Sequence, residues 1–133
     1  MGISSTMVAK TSGARVIVVD PIESRRERAL QYGADYVVDP TRSDYLAQID
    51  KYTKGRGPSV LVEASGNDQA IASIFDIAGH SCRVGLVGHS IGRKVPVELG
   101  KTIWRTLSIK GSGGTKDFGQ RTIRFMSNIR DKY

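Results

Sequence analysis

Cysteine is almost missing from this sequence. Its 133 residues hold one, Cys82. No internal disulfide can staple the fold, and a reducing cytoplasm suits such a chain. A cysteine-rich zinc site is excluded as well. Long apolar runs are also lacking. Nothing approaches the roughly 18 residues of a membrane span, and "MGISSTMVAK" has no apolar core of the signal-peptide kind. Aromatic residues make up only 7% of the chain, and no nucleic-acid recognition motif accompanies them. The net charge of +7 therefore carries little weight as a nucleic-acid signal. Its sources are scattered (Arg25, Arg26, Arg28, Lys51, Lys54, Arg93, Lys94, Arg121, Arg124) and read as solvated helix faces. No repeat, low-complexity tract or linker interrupts the chain. With 39% hydrophobic and 25% charged residues, one soluble globular domain over 1–133 is expected.

Strand and helix patterns alternate. "MVAK" reads as the tail of a helix closed by Ser12-Gly13. Strands are predicted at 15–19, 35–39, 59–64, 82–88 and 107–111. Between them lie helices over 22–32, with Ala29 and Leu30 inward and Gly33 as the stop, and over 44–54. The second is capped by Ser43, with Tyr45, Leu46, Ile49 and Tyr52 on one face. Asn67 or Asp68 starts a helix striped by Ala70, Ile71, Ile74 and Phe75 and ended by Gly79. "VPVEL" reads as extended and leads into a short helix at 100–105. A last helix near 117–130 is expected to bury Phe118, Thr122, Phe125, Met126 and Ile129. Such alternation implies parallel strands joined by crossover helices, and strands apolar on both faces imply a sheet covered on both sides.

In sheets of this kind, ligands sit beyond the carboxyl ends of the strands. Those ends are Asp20, Asp39-Pro40, Ala64-Ser65-Gly66, Gly88-His89 and Gly111-Ser112-Gly113-Gly114. Small residues dominate, so a flat ligand can approach the backbone closely. Asp20, which ends the apolar run Val16–Val19, is the kind of acid that holds the ribose hydroxyls of a dinucleotide.

"AKTSGARVIVVDPIESRRERALQYGAD", followed in order by "VLVEASG", "RVGLVG" and "IKGSGG", resembles the cofactor domain of the medium-chain, zinc-type alcohol dehydrogenases, nearest to the polyol and secondary-alcohol branch. The resemblance spans nearly the whole chain. It implies an α/β fold: an incomplete doubly wound, Rossmann-like parallel sheet lacking its first strand. In that family a G-x-G-x-x-G loop follows the first strand and its last glycine precedes the ribose acid by about 18 residues, which falls on Gly2. The expectation is thus a chain beginning at the third glycine. It would lack the first strand, the first two glycines, the zinc-bearing catalytic domain and the C-terminal return into that domain.

The resemblance also implies roles. Asp20 would bind the adenosine ribose and repel a 2′-phosphate, favouring NAD over NADP; beside Pro21 it could equally stabilise a helix N-terminus. Arg25 would lie near the adenosine, with Arg26 and Arg28 as competitors or all three as surface charge. Ala64, Ser65, Gly66 and Asn67 would pass under the adenine-side ribose, or simply form a capped turn. Val87, Gly88 and His89 would grip the nicotinamide carboxamide, and Gly111 and Ser112 would finish that pocket. His89 has neither His80 nor Cys82 at ligand-like spacing, so a metal role is not expected. Cys82 reads as a small buried residue, and Trp104 as packing or interface. No catalytic triad or carboxylate pair is present, so proton-relay and zinc residues are expected outside this chain.

Loss of a central strand would remove about five buried side chains, on the order of 10 kcal/mol. The strands flanking it are expected either to close up and pair, or to have the gap filled by a swapped segment or another chain. A homodimer or larger homo-oligomer is expected, with the "TLSIKGS" strand pairing edge to edge, as the family does. NAD binding is expected to be weak or lost, and alcohol oxidation by this chain alone absent. The competing reading is a non-catalytic nucleotide-binding or oligomerisation module, since fold alone does not specify function. A basic nucleic-acid-binding domain is a third reading, one that steep salt dependence would mark.

Overall fold

A computed structural model describes residues 1–114 and 118–133. Among the described residues six helices and five strands alternate: α1 (Gly2–Thr11), β1 (Ile17–Val19), α2 (Glu23–Gln31), β2 (Tyr36–Val38), α3 (Tyr45–Thr53), β3 (Val60–Glu63), α4 (Asp68–Ile77), β4 (Arg83–Leu86), α5 (Leu99–Trp104), β5 (Ser108–Gly111) and α6 (Phe118–Ile129), with a final 3-10 turn at Arg130–Lys132. Each predicted strand exists but is shorter by a residue or more. "VPVEL" forms no strand, and α5 starts at Leu99. Position 117 and the side chain of Phe118, both assigned in sequence to the last helix, lie outside the described residues.

The strands are parallel, as the alternation predicts, but they form two sheets. β1 pairs with β2 in the register Ile17 to Tyr36. β4 lies between β3 and β5, with Val84 opposite Leu61 on one side and Ile109 on the other. Among the described residues β1 and β3 do not pair. Of the two outcomes expected for strands flanking a gap, direct closure is therefore not the one adopted. Helix α3 spans the division, packing on β2 and on α4.

The main core lies under β3 and β4, where Ile74, Phe75 and Ala78 of α4 meet Cys82 and Val84. Leu61, Leu86, Val97 and Leu107 pack around them. A second set, Met7, Ala29, Ala34, Val38 and Ile49, is buried around the β1–β2 sheet. Coverage on both faces, however, is not observed. Along β3 the burial alternates, leaving Val60 and Val62 50% and 48% exposed. Every residue of β5 is exposed.

Helix faces show the same partial cover. Ala29 is buried but Leu30 is exposed, Ile49 is buried but Leu46 is exposed, and on α6 Ile129 is buried while Met126 and Thr122 are exposed. Phe125 is half-buried. Tyr52 of α3 instead stacks on Tyr36 of β2, with ring centroids 4.1 Å apart.

Helix ends follow local chemistry. The Asn67 Oδ1 accepts from the Gln69 and Ala70 amides at 2.9 and 3.1 Å, so Asn67, of the two candidates, caps α4. The expected Ser43 cap on α3 is not formed. Asp44 occupies that position without a side-chain cap bond, because its carboxylate takes the Arg42 guanidinium at 3.0 Å. At the other end of α4, Arg105 donates to the carbonyls of Phe75, Asp76 and Ala78 at 3.2, 2.8 and 2.6 Å. That single guanidinium satisfies carbonyls a helix C-terminus leaves open and ties α5 to α4.

Candidate functional site

The carboxyl end of β1 is Asp20. Its amide extends the β1–β2 ladder to the Val38 carbonyl at 3.2 Å. One carboxylate oxygen accepts from the Ile22 amide at 2.9 Å, which shapes the entry to α2. The other lies 3.8 Å from the Arg25 guanidinium. The side chain of Asp20 is 23% exposed and that of Arg25 67%. The Asp20 carboxylate thus shapes its own turn while staying partly exposed.

Arg26 behaves differently from its neighbour. It donates to the Asp20 carbonyl at 2.8 Å and lies 3.3 Å from the Asp39 carboxylate. It thus bridges the ends of β1 and β2. Asp39 also accepts from the Thr41 hydroxyl and amide at 2.7 and 2.9 Å. These bonds, hydroxyl first, together with Arg26 hold its carboxyl below the usual range.

On the other sheet, the turns after β3 and β4 interlock. Gly66 has φ +67°, and a methyl at Gly66 would overlap the Gly88 carbonyl. A side chain at Gly88 would in turn run into the Gly66 amide and Ala64. Only glycine at both positions lets the two backbones touch. Beneath this contact lies Glu63, 6% exposed, which sequence reasoning passed over although it stands in "VLVEASG". Its carboxylate accepts from the Ser65 amide at 2.8 Å, the Gly66 amide at 3.1 Å and the Ser65 hydroxyl. The signal available was an acid closing an apolar strand two residues before a small-residue turn, the same signal that marked Asp20.

Val87 donates to the Glu63 carbonyl, and Ser112 to the Leu86 carbonyl, both at 2.9 Å. The Ala64–Gly66, Val87–His89 and Gly111–Ser112 segments therefore follow one another along the carboxyl edge of the second sheet. The His89 imidazole faces the Arg93 carbonyl at 3.3 Å. Arg93 in turn donates to the Gly66 carbonyl at 3.4 Å and pairs with Asp68 at 2.7 Å.

Gly2 opens α1. The far end of that helix is fixed by Lys10, whose ammonium holds Asp35 at 2.9 Å at the start of β2. The sequence-derived candidates thus fall into two groups: Gly2, Asp20 and Arg25 around one sheet, and Ala64 through Ser112 on the other. An open groove of about 520 Å³ lies elsewhere, lined by Met7, Tyr32, Ile123, Met126, Ile129 and Tyr133. It contains none of these residues and is no candidate for the chemistry. Among the described residues no three His, Cys, Asp or Glu side chains gather to hold a metal ion, and no helix is long and apolar enough to cross a membrane.

Comparison with known proteins gives the lineage. Residues 1–128 match the zinc-binding dehydrogenase family. The chain is 36% identical over 118 residues to the L-threonine 3-dehydrogenase of Symbiobacterium thermophilum, covering 87% of this chain and 33% of that one. It is 30% identical over 139 residues to the scyllo-inosose 3-dehydrogenase of Thermotoga maritima, covering 98% and 35%. The solved benzyl alcohol dehydrogenase of Acinetobacter calcoaceticus superimposes with a TM-score of 0.82 at 27% identity, over 96% of this chain and 36% of that one. The chain thus spans about a third of the length of the proteins it matches, and it belongs to the zinc-binding dehydrogenase family.

Proposed function

We propose that residues 1–133 act as the cofactor-binding unit of an NAD-dependent, zinc-type alcohol or polyol dehydrogenase. The observation that carries this reading is Asp20: a partly exposed carboxylate at the end of a parallel strand, one oxygen of which is held by the Ile22 amide. Two acceptor oxygens suit a ribose diol, and their charge opposes a 2′-phosphate, so NAD is favoured over NADP. Arg26 is engaged by Asp39 and the Asp20 carbonyl, which leaves Arg25 for the adenosine side. The α1 amides that begin at Gly2 would face the pyrophosphate. The glycine contact at Gly66 and Gly88 offers a flat backbone floor. Ala64 and Ser65 would run beneath the adenine-side ribose, and Val87, His89, Gly111 and Ser112 would line the nicotinamide end.

When bound, the nicotinamide supplies the hydride acceptor. The residues described here bind and orient it, and they include no metal-holding trio. Zinc chemistry and proton relay would then fall to residues other than these, and no alcohol oxidation by this chain alone is expected. Both curated relatives compared above carry names of polar secondary-alcohol substrates, which supports that substrate class here. A cytoplasmic location fits the lone, fully buried thiol.

A homodimer is the second part of the proposal. β5 is paired on one side by β4. Beside it, α5 exposes Leu99, Ile103 and Trp104, the last at 77%. An unpaired edge next to exposed large apolar side chains is a natural place for a second copy to pair. The same surface would serve a non-catalytic oligomerisation module, and cofactor binding separates the two readings.

Calorimetric titration of the purified chain with NADH and NADPH is the test. Saturable NADH binding, about tenfold or more weaker for NADPH and lost in Asp20→Ala, is the expected outcome. Absence of saturable binding to either dinucleotide overturns the reading. Oxidation of a simple alcohol by the pure chain overturns the assignment of the chemistry to other residues.

A further inference from the structure

We infer that Glu63 is a positioning residue: its carboxylate sets the 64–67 turn so that the Gly66 backbone stays locked against Gly88. This deepens the cofactor reading above and takes its functional meaning from it. The geometry stands independently. Glu63 closes β3 with its carbonyl accepting from Val87 at 2.9 Å, so its main chain is fixed to the strand end that leads into Gly88. Its side chain then turns back. Oε1 gathers the Ser65 amide, the Ser65 hydroxyl and the Gly66 amide, and Oε2 shares the Gly66 amide at 3.2 Å.

A carboxylate is acceptor-only, and three converging donors match its capacity. Charge-assisted bonds of this kind are the strong ones, more so at a 6% exposed site. Gly66 and Gly88 meet backbone to backbone, so the turn has no side-chain packing of its own to hold the contact. Arg93 closes the same turn from the outer side through the Gly66 carbonyl and Asp68. One residue thus sets the spacing of two loops that would carry the cofactor.

Amide hydrogen exchange on the full chain tests this, with three amides read separately. Gly66 reports the direct bond, Val87 the transmitted effect, and Asp20, bonded to Val38 on the other sheet, general loosening. In Glu63→Ala, exchange should quicken about tenfold at Gly66 and Val87 and stay within about twofold at Asp20. Glu63→Gln keeps one acceptor oxygen but loses the charge and sets an NH2 beside the Gly66 amide, so it should give a smaller rise of about threefold at Gly66 and Val87 and stay within about twofold at Asp20. Ser65→Ala removes one donor and should give an intermediate rise of about threefold at Val87, which keeps the test open if the alanine variant at 63 does not fold.

NADH titration of the same proteins adds the functional arm, with about tenfold weaker binding for Glu63→Ala and a smaller loss for Glu63→Gln. An unchanged Val87 rate in Glu63→Ala, or in Ser65→Ala if the first is unfolded, overturns the inference. So does equal NADH affinity of Glu63→Ala and the native chain. A Val87 response in a chain that binds no NADH removes the cofactor reading and leaves the loop positioning intact.

Discussion

Asp35 holds together three elements with one side chain. Its carboxylate takes the Lys10 ammonium at 2.9 Å from the end of α1 and the Val16 amide at 2.6 Å ahead of β1, while the residue itself leads into β2. Partial burial pushes its pKa up, but the Lys10 bond and the Val16 amide outweigh this, and the net shift is downward. A carboxyl with a depressed folded pKa contributes stability above its unfolded value, near 3.8, and loses it as pH falls through the folded value. Asp35→Asn should therefore lower the Tm by about 5 °C at pH 7. The gap should close in acid below the unfolded value. A gap that persists undiminished in acid would show that the ion pair is not the cause.

Residue-scale reading from sequence singled out Asp20 because its signal, an acid against an apolar run, is written in residue order. It stopped at Glu63, where the acid sits at the same strand position but folds back into its own turn, a rotamer that residue order does not encode. Between Arg25 and Arg26 the chain offers two guanidiniums about 100° apart around a helix. Only the helix's placement shows that Arg26 is the one turned toward Asp39.

The elements themselves were legible because apolar periodicity separates strand from helix here, and the crossover order follows from their alternation. Their covered faces were less so. Leu30, Leu46 and Met126 lie on apolar stripes yet are exposed, since a stripe says which side is apolar and not what packs on it. Caps show a similar split. Asn67 makes two cap bonds, whereas Asp44 makes none. Thermal melts should find Asn67→Ala destabilised by about 1 kcal/mol and Asp44→Ala by a few tenths at most. Equal losses would mean that the α4 cap bonds do not carry the difference.

For the whole molecule, the proposed association rests on β5, which among the described residues pairs only with β4, and on the exposed face of α5. Under the dimer proposal, light scattering should find the native chain dimeric. Trp104→Glu combined with Ile109→Lys should make it monomeric, because charge on an edge strand and its neighbour opposes pairing. A sharp native monomer at both high and low concentration removes the dimer.

Under the cofactor proposal, division of the strands into two parallel sheets would make a dinucleotide a bivalent ligand for this chain. AMP would engage Asp20 on one sheet and the Ala64–Gly66 turn on the other, and the nicotinamide mononucleotide would engage Val87–His89 and Gly111–Ser112 on the second sheet. Joining the two halves then gains affinity only as far as the protein keeps the two sheets at the span of the pyrophosphate. The ratio of NADH affinity to the product of the two half-ligand affinities is an effective concentration, and it measures the stiffness of that division directly. Bridging both sheets also makes the cofactor a brace: if joining the halves tightens binding, NADH should raise the Tm by more than AMP at equal concentration.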